Sequence, residues 1–495
     1  MSNPLFDKFI ISNKLRLTRR VVILIILLYA AAFRLVAMNR PFVYDEEATG
    51  CFYGVLARNY LRFGLAQTHG IPVLTVGHAP DASIVYYPDH PPLVPLLIAP
   101  IYRLFGVGEW QTRLPTSIAT VAAVYVLYRL LREHASERVA LLAATLFAAM
   151  PMNLYFGGMP EVVGMPLILF VLLSVSAYLA LHARPNGRHC LVWIGAFTLA
   201  AMSDWPAFII VPVFLIHFLA TQRRRQWPWI LAFAAAACAI FSVLYVYIAL
   251  EAHEPWNWMV PLFKGRSALG VKAPFTARQW LATAMAFNRA QHTLPILIAS
   301  GVWLVTTSIR RHDSQPAATI ARILIAWGVL HVLVGRQGVF IHQWWWSPLT
   351  PGLAVTAALL IDSIVTTAER HRQYASTVRA LALVLVVAFT AWTSVTSYRQ
   401  LFPPRSPIAF STRDLGDAIR AAAPEPSDVA LLVWSGIDAQ VWFYGDRPVR
   451  TDVWSVADLQ RRLRGDSVDL MFAYEQPWRA KATGIVRCWS TSKRS

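Results

Sequence analysis

Acidic side chains are scarce in this sequence, and charge of either sign is low. Asp and Glu number 27 of 495 residues against 45 Lys and Arg, which gives a formal net charge of +18. Charged residues make up 15% of the chain and apolar residues 56%, a composition that excludes an ordinary soluble protein and is typical of a polytopic helical membrane protein. The basic residues fall largely between apolar segments, where they meet anionic lipid, so the excess charge does not indicate a nucleic acid partner.

Cysteine is rare, and no internal repeat is evident. The four cysteines, Cys51, Cys190, Cys238 and Cys488, lack the spacing of metal ligands, so a structural zinc site is not predicted. Cys51 and Cys488 fall on the same side of the membrane in the topology below, and a disulfide between them is a minor alternative. The lack of a repeat counts against transporter folds that are built from duplicated halves.

Long apolar segments recur from residue 21 to about residue 397. We predict eleven membrane spans, because lipid-exposed backbone must satisfy its own hydrogen bonds and therefore forms helices. The predicted spans are 21–38, 115–131, 138–156, 162–181, 190–203, 206–220, 227–250, 293–309, 318–334, 345–365 and 377–397.

The positions of basic residues predict the orientation. Five basic connections fall on the cytoplasmic side if the N-terminus is inside and the C-terminus outside. They are 132–138, 183–189, 221–226, 310–315 and 366–376. This agreement requires that residues 91–107 do not cross the membrane. That stretch carries four prolines and Arg103, and we interpret it as interfacial or re-entrant.

The predicted fold is an all-α polytopic membrane protein with a small α/β domain outside the cytoplasm. Residues 1–20 form a cytoplasmic N-terminus, and residues 21–397 form the transmembrane domain. Three regions lie on the outer face: a first loop at 39–114, a second loop at 251–292 and a C-terminal tail at 398–495. In the tail, strands are predicted at 429–434 and 468–473, and helices at 412–422, with Ser411 or Thr412 as cap, and 455–464.

The most informative segment is the acidic run Tyr44-Asp45-Glu46-Glu47, just after the first span. Carboxylates are costly inside lipid, so a cluster at this position belongs to an aqueous loop at the membrane surface. A second polar segment, Asp89-His90-Pro91-Pro92-Leu93, lies in the same loop. Together they predict surface chemistry on a lipid-linked substrate.

These segments, with two others, resemble the GT-C superfamily of membrane glycosyltransferases. The similarity is greatest to the protein O-mannosyltransferase branch and its bacterial relatives, which include the aminoarabinose transferase of lipid A. The matching residues are Asp45-Glu46, the segment His90-Pro91-Pro92-Leu93, Phe105-Gly106 with Glu109 and Arg113-Leu114-Pro115, and Pro160-Glu161. Thr49 departs from the pattern, since many relatives carry a tyrosine there.

The resemblance implies transfer of a sugar from a polyprenyl-phosphate donor to an acceptor hydroxyl on a glycan, lipid or protein at the outer face. The hydroxyl must lose a proton as it attacks the anomeric carbon, and Asp45 is the candidate general base. Glu46 holds structure or orients Asp45, while Glu47 is expected to be solvated. Glu161 positions the acceptor, or alternatively caps the helix that is expected to begin near residue 162.

The leaving group is a lipid phosphate, so the site needs cations or hydrogen-bond donors. His90 is a candidate donor, with Asp89 fixing the orientation of its ring. The alternative is that His90 begins a rigid entry to the re-entrant segment. Lys264, Arg266 and Arg289 are candidate phosphate ligands, or else charges on a solvated loop.

Further candidates line the predicted substrate cavity. Asp204 either points into the cavity or caps the helix that starts at Pro206. His342 and Trp344 lie at the outer end of a span, where anchoring at the membrane interface is the alternative for the run of three tryptophans. Asp89 and His90, with Glu161 as a further contributor, are the candidate ligands of a divalent metal ion, which some GT-C enzymes use and others do not.

Two other functions compete with this hypothesis. A transporter or flippase of a lipid-linked or anionic substrate predicts ionisable residues at mid-membrane, whereas Asp and Glu here concentrate in the predicted outer loops. A non-catalytic membrane subunit predicts that replacing Asp45 is silent. The resemblance also implies a bacterial inner-membrane location among membrane lipids, and leaves the sugar and the acceptor open.

Overall fold

The structure is a computed structural model that describes most of the membrane region and parts of the C-terminal tail. Asp45, Glu46 and the predicted helix 455–464 lie outside the described residues. The described residues are 4–42, 47–77, 84–161, 163–221, 227–309, 316–371, 373–402, 407–422, 429–432, 438–447, 449–450, 470–473 and 487–490.

Ten helices occupy the first half of the chain as far as the structure describes it. They are α1 (Pro4–Ala37), α2 (Ala48–Thr68), α3 (Leu93–Phe105), α4 (Glu109–His134), α5 (Glu137–Ala149), α6 (Pro151–Phe156), α7 (Leu167–Ala183), α8 (Gly187–Ser203), α9 (Ile210–Thr221) and α10 (Trp227–Glu251). A 3₁₀ segment, Trp205–Ile209, precedes α9. Polar caps begin two of the helices: Ser136 accepts a hydrogen bond from the Val139 amide before α5, and Asn186 accepts one from the His189 amide before α8.

Nine helices and four short strands follow in the described part of the second half. The helices are α11 (Met259–Ser267), α12 (Ala277–Gln291), α13 (Leu294–Ile309), α14 (Pro316–Val334), α15 (Arg336–Ile341), α16 (Thr350–Arg370), α17 (Ala375–Leu401), α18 (Pro407–Ala422) and α19 (Asp438–Gly445). The strands are β1 (Val429–Leu432), β2 (Val449–Arg450), β3 (Leu470–Ala473) and β4 (Arg487–Ser490). A second 3₁₀ segment, Gln343–Leu349, precedes α16, and a capping box formed by Thr276 and Gln279 begins α12.

Six of the eleven predicted spans correspond to single helices that are long and apolar enough to cross a membrane, counted over the described residues. The other five are shorter or broken. The predicted span 138–156, for example, divides into α5 and α6 at Met150, because Pro151 has no backbone N–H to continue the first helix. The number eleven therefore remains a prediction. The six helices are Arg20–Ala37, Glu109–His134, Trp227–Glu251, Pro316–Val334, Gln343–Arg370 and Ala375–Leu401.

Several of these long helices present apolar side chains to their surroundings. In α17, Leu383 is 65% exposed, and in α10, Val243 is 66% exposed. So much apolar surface on long helices would be costly in water but is favourable against lipid tails. The chain is therefore an integral membrane protein. By contrast α3 has 13 residues, about 20 Å of helix, which is less than the thickness of the hydrocarbon core.

The C-terminal tail contains both helices and strands. The strands form one sheet in the order β2-β1-β3-β4, with β1 parallel to β2 and β3, and β4 antiparallel to β3. Both predicted strands contain an observed one. Helix α18 begins at Pro407, so the predicted cap at Ser411 or Thr412 is wrong. Cys51 is a buried free thiol, which removes the alternative of a disulfide to Cys488.

Helix α19 of the tail packs on α2 of the first loop. Arg58 donates hydrogen bonds to the backbone carbonyls of Phe443 (3.0 Å) and Trp442 (2.9 Å), and it pairs with Asp446 at 2.8 Å. Arg62 pairs with the same carboxylate at 2.7 Å. The first loop and the tail therefore lie on one side of the helical bundle.

The second loop begins on that side as well. The ring of His69, after α2, contacts the carboxylate of Glu251 at the end of α10, and the Tyr247 hydroxyl donates to the His69 carbonyl. Ile71 is buried in one cluster with Trp258, from the second loop. All three predicted outer regions thus come together.

Candidate functional site

A cavity of about 770 Å³ opens between α10, α11, α14 and the 3₁₀ segment Trp205–Ile209. Its walls are mainly aromatic and aliphatic, which suits a ligand with a long apolar part. Polar groups line part of the wall, and five of the predicted site residues are among them. These are Asp89, His90, Asp204, Lys264 and Arg266.

One polar contact in this wall joins His90 to Asp204. Nδ1 of His90 lies 2.8 Å from Oδ1 of Asp204, and the two residues are 9% and 1% exposed. The same oxygen accepts a hydrogen bond from the Trp205 amide at 2.8 Å, so Asp204 caps the 3₁₀ segment and also lines the cavity. Both alternatives weighed for Asp204 therefore hold.

Asp89 does not hold the His90 ring, so its expected orienting role is wrong. Asp204, which is 114 residues further along the chain, contacts the ring of His90 instead. The backbone carbonyl of Asp89 instead accepts a hydrogen bond from Nε1 of Trp205 at 2.9 Å. Two hydrogen bonds thus tie residues 89–90 to residues 204–205.

The cations of the cavity come from α11. Lys264 and Arg266 lie in its last turn, and the guanidinium of Arg266 lies 5.5 Å from the centre of the Trp345 ring. Arg336 holds the end of this helix through a hydrogen bond from Nε to the Ser267 carbonyl, at 3.2 Å. The cations are therefore supported by neighbouring elements.

His331 and Trp345 belong to the cavity wall and were not among the predicted site residues. Trp345 lines the cavity, and the backbone carbonyl of Trp345 lies 3.0 Å from Nε2 of His331, which lines it too. A histidine inside the apolar helix α14 was a signal that could have been used. Nothing in the sequence distinguishes Trp345 from the tryptophans on either side of it.

His342 and Trp344 do not line the cavity. Their rings stack on each other with centroids 4.4 Å apart, and burial lowers the pKa of His342 to about 4, with a further lowering by the charge of Arg266. The neutral imidazole is therefore the form present at neutral pH. Trp344, Trp345 and Trp346 are all buried, so anchoring of this run at the membrane interface is wrong.

Arg289 is likewise separate from the cavity. It is exposed on α12, beside a second groove of about 400 Å³ that lies between α12, α13 and α14. This groove is also mainly apolar, and α14 separates it from the cavity. Arg289 is therefore not brought together with Lys264 and Arg266.

Glu161 lies between α6 and α7 and is 1% exposed. It does not cap a helix, since α7 begins at Leu167 without a side-chain cap. The Thr49 hydroxyl donates to its Oε1, and its Oε2 has no hydrogen-bond partner among the described residues. Burial raises the pKa of this carboxyl well above 4.5, and the bond from Thr49 opposes that only in part.

The acidic run itself is described only at its borders. Glu47 is fully buried and forms an ion pair with Arg40, so the expectation that it is solvated is wrong. On the other side, the Phe42 ring packs edge-on against Phe443 at 5.6 Å, and the Phe42 amide donates to the Tyr444 hydroxyl at 2.9 Å. Contacts from the C-terminal tail thus hold Phe42, two residues before the run.

The candidate metal ligands do not form a metal site in the described part of the chain. No group of three or more His, Cys, Asp and Glu side chains converges there. Nδ1 of His90 is taken by Asp204, and Glu161 bonds to Thr49 instead. Among the described residues, Asp89 and His90 do not make up the ligand set of a divalent ion.

The sequence around the cavity matches a family of known proteins. Residues 89–262 match the family described as dolichyl-phosphate-mannose-protein mannosyltransferase. YycA of Bacillus subtilis (strain 168), provisionally named a mannosyltransferase, is 28% identical over 210 residues. That match covers 40% of this chain, and the chain spans only 27% of the length of this curated relative.

The fold is similar to two solved membrane enzymes. ArnT from Cupriavidus metallidurans, in a crystal structure with undecaprenyl phosphate bound, has a TM-score of 0.62 and 14% identity over 92% of this chain and 93% of that one. The Archaeoglobus fulgidus oligosaccharyltransferase in its apo form has a TM-score of 0.62 and 14% identity over 92% of this chain and 69% of that one. At such identities the likeness establishes the arrangement of the helices.

Proposed function

We propose that this chain, which has the GT-C fold of membrane glycosyltransferases, moves a sugar from a polyprenyl-phosphate donor to an acceptor hydroxyl. The observation that carries the proposal is the cavity, in which a long apolar wall and a cluster of polar groups adjoin. A lipid phosphate has the same two parts. One of the similar structures holds undecaprenyl phosphate, which supports this class of donor.

The donor phosphate is bound by Arg266 and Lys264. Arg can bind phosphate through two parallel hydrogen bonds, and Lys supplies a point charge beside it. The prenyl chain lies along the aromatic wall, which includes Phe241 and Tyr245 of α10. Binding both parts in one cavity fixes the anomeric carbon near the polar end.

Asp45 is the general base. As the acceptor oxygen attacks the anomeric carbon, its proton passes to the Asp45 carboxylate, and the bond from that carbon to the phosphate oxygen breaks. Support comes from the order of motifs in the sequence and from the contacts that hold Phe42 and Glu47, which lie on either side of Asp45 in the sequence. Glu161 is a positioning residue that acts through Thr49, four residues after Asp45.

The reaction takes place at the outer face of a bacterial inner membrane, with the N-terminus in the cytoplasm and residues 398–495 outside. The five basic connections in the sequence, which the positive-inside rule assigns to the cytoplasm, support this orientation. So does the packing of α19 on α2, which puts the tail and the first loop on the same side.

The direct test is a transfer assay on purified protein in lipid nanodiscs, with a panel of polyprenyl-phosphate sugars and cell-envelope extract as acceptor. We expect turnover of at least one donor. Asp45→Asn should lower the rate by about 100-fold or more, because it removes the base, and should leave donor binding intact. Asp417→Asn, an exposed carboxylate on α18, is the matched control and should turn over normally.

Normal turnover by Asp45→Asn would remove Asp45 from the mechanism. If the folded wild-type protein turned over none of the donors, the transferase proposal would fail. The transporter or flippase function would then be measured as flux across liposomes.

A further inference from the structure

We propose that His90 and Asp204 act as a pair on the departing phosphate. In this pair His90 Nε2 donates a proton to the oxygen that leaves the sugar, and Asp204 is the positioning residue that orients His90. The proposal rests on the transferase function proposed above. It goes further by giving the leaving group its own proton donor.

The hydrogen bond fixes which nitrogen faces the substrate. A carboxylate only accepts hydrogen bonds, so Nδ1 of His90, at 2.8 Å from Asp204 Oδ1, must carry a hydrogen. Nε2 is then the ring nitrogen that is left to contact a ligand in the cavity. The proton donor in this proposal is the imidazolium form of His90, in which Nε2 carries a hydrogen as well.

Neighbouring contacts hold the pair in place before a donor binds. Asp204 is fixed by the Trp205 amide, and the Trp205 indole bonds back to the Asp89 carbonyl next to His90. The centre of the Tyr87 ring lies 6.0 Å from the centre of the His90 imidazole. The orientation of His90 is therefore a property of the fold.

The other ionisable groups in the cavity leave this role to His90. Lys264 and Arg266, on α11, suit the non-bridging phosphate oxygens, which carry the charge of the bound donor. Asp89 is acidic and repels phosphate. His331, on α14, directs Nε2 to the Trp345 carbonyl.

With a polyprenyl-phosphate sugar as donor, one bond forms at the anomeric carbon as another breaks. The acceptor oxygen forms a bond to the anomeric carbon and gives its proton to Asp45. The bond from that carbon to the phosphate oxygen breaks, its electron pair stays with the oxygen, and the His90 Nε2 proton neutralises the developing charge. Exchange with water then returns a proton to His90 and removes one from Asp45.

The test is a double-mutant cycle of His90→Gln and Asp204→Asn in the transfer assay, with the Kd for polyprenyl phosphate and the melting temperature measured for each variant. We expect His90→Gln to lower kcat by about 100-fold, and Asp204→Asn by at least about 10-fold. The double variant should be no slower than His90→Gln within about two-fold, because Asp204 acts through His90. Affinity and melting temperature should change little.

The matched control is a second contact between a histidine Nδ1 and a carboxylate in the described part of the chain, His69 with Glu251, which does not line the cavity. His69→Gln and Glu251→Gln should keep wild-type kcat. Additive losses in the His90 and Asp204 cycle, or a rise in KM at unchanged kcat, would overturn the pairing. Failure of the transferase function is distinguishable, since the wild-type protein would then turn over no donor at all.

Discussion

Glu161 is a carboxyl group that the fold keeps from water, with Thr49 as its hydrogen-bond donor. Because burial raises its pKa well above 4.5, the folded protein holds this proton at pH values where the unfolded chain has begun to release it. The stability that this residue contributes is therefore present at acidic pH and is lost as pH rises towards the raised folded-state pKa.

Glu161→Gln mimics the protonated acid, so it should remove this dependence on pH. We expect the melting temperature of the variant, relative to wild type, to rise by a few degrees between pH 5 and pH 8. Transfer activity should fall by less than about 10-fold, since an amide oxygen still accepts from Thr49. A difference in melting temperature that stays constant with pH would show that Glu161 is ionised in the folded protein.

At the scale of residues, the sequence predicted five polar members of the cavity but not their partners. His90 and Asp204 are separated by 114 residues, and only the packing around Trp205 brings them together. Trp345 was missed in favour of Trp344 because side chains in a 3₁₀ segment project about 120° apart, so neighbours face different surroundings. Trp344 and Trp345 have the same hydropathy, so a hydropathy profile does not distinguish them.

At the scale of elements, apolar length predicted the long helices but not the broken ones. The predicted span 138–156 has the composition of a membrane helix, and Pro151 divides it into α5 and α6. The interface between α2 and α19 was not predicted. In the sequence Arg58 and Arg62 have no evident partner, and only the fold brings both of them to Asp446. Such pairings depend on tertiary structure alone.

The packing of α19 on α2 makes the orientation of the chain testable with single cysteines. Asp417→Cys places a thiol on the exposed face of α18, in the tail, and Arg379→Cys places one at the start of α17, at the opposite end of that helix from the tail. In intact cells a membrane-impermeant maleimide should label Asp417→Cys and should label Arg379→Cys only after permeabilisation. The reverse pattern would put the first loop and the tail in the cytoplasm.

At the scale of the whole molecule, two apolar grooves flank α14. One is the cavity with Arg266 and Lys264, and the other lies beside Arg289. From the sequence, Lys264, Arg266 and Arg289 were equally good candidates for phosphate ligands. The fold separates them, because α11 carries two to one side of α14 and α12 carries the third to the other.

The central claim is that the cavity beside α11 holds the donor phosphate, and the most direct measurement is polyprenyl-phosphate binding by Arg266→Gln and Arg289→Gln in nanodiscs. We expect Arg266→Gln to raise the Kd by at least about 10-fold, because the variant loses a charge-assisted hydrogen bond to the phosphate. Its melting temperature should be unchanged. Arg289→Gln, which removes the same charge outside the cavity, should bind within about two-fold of wild type. Equal weakening by both variants, or weakening by Arg289→Gln alone, would contradict the assignment of the donor site.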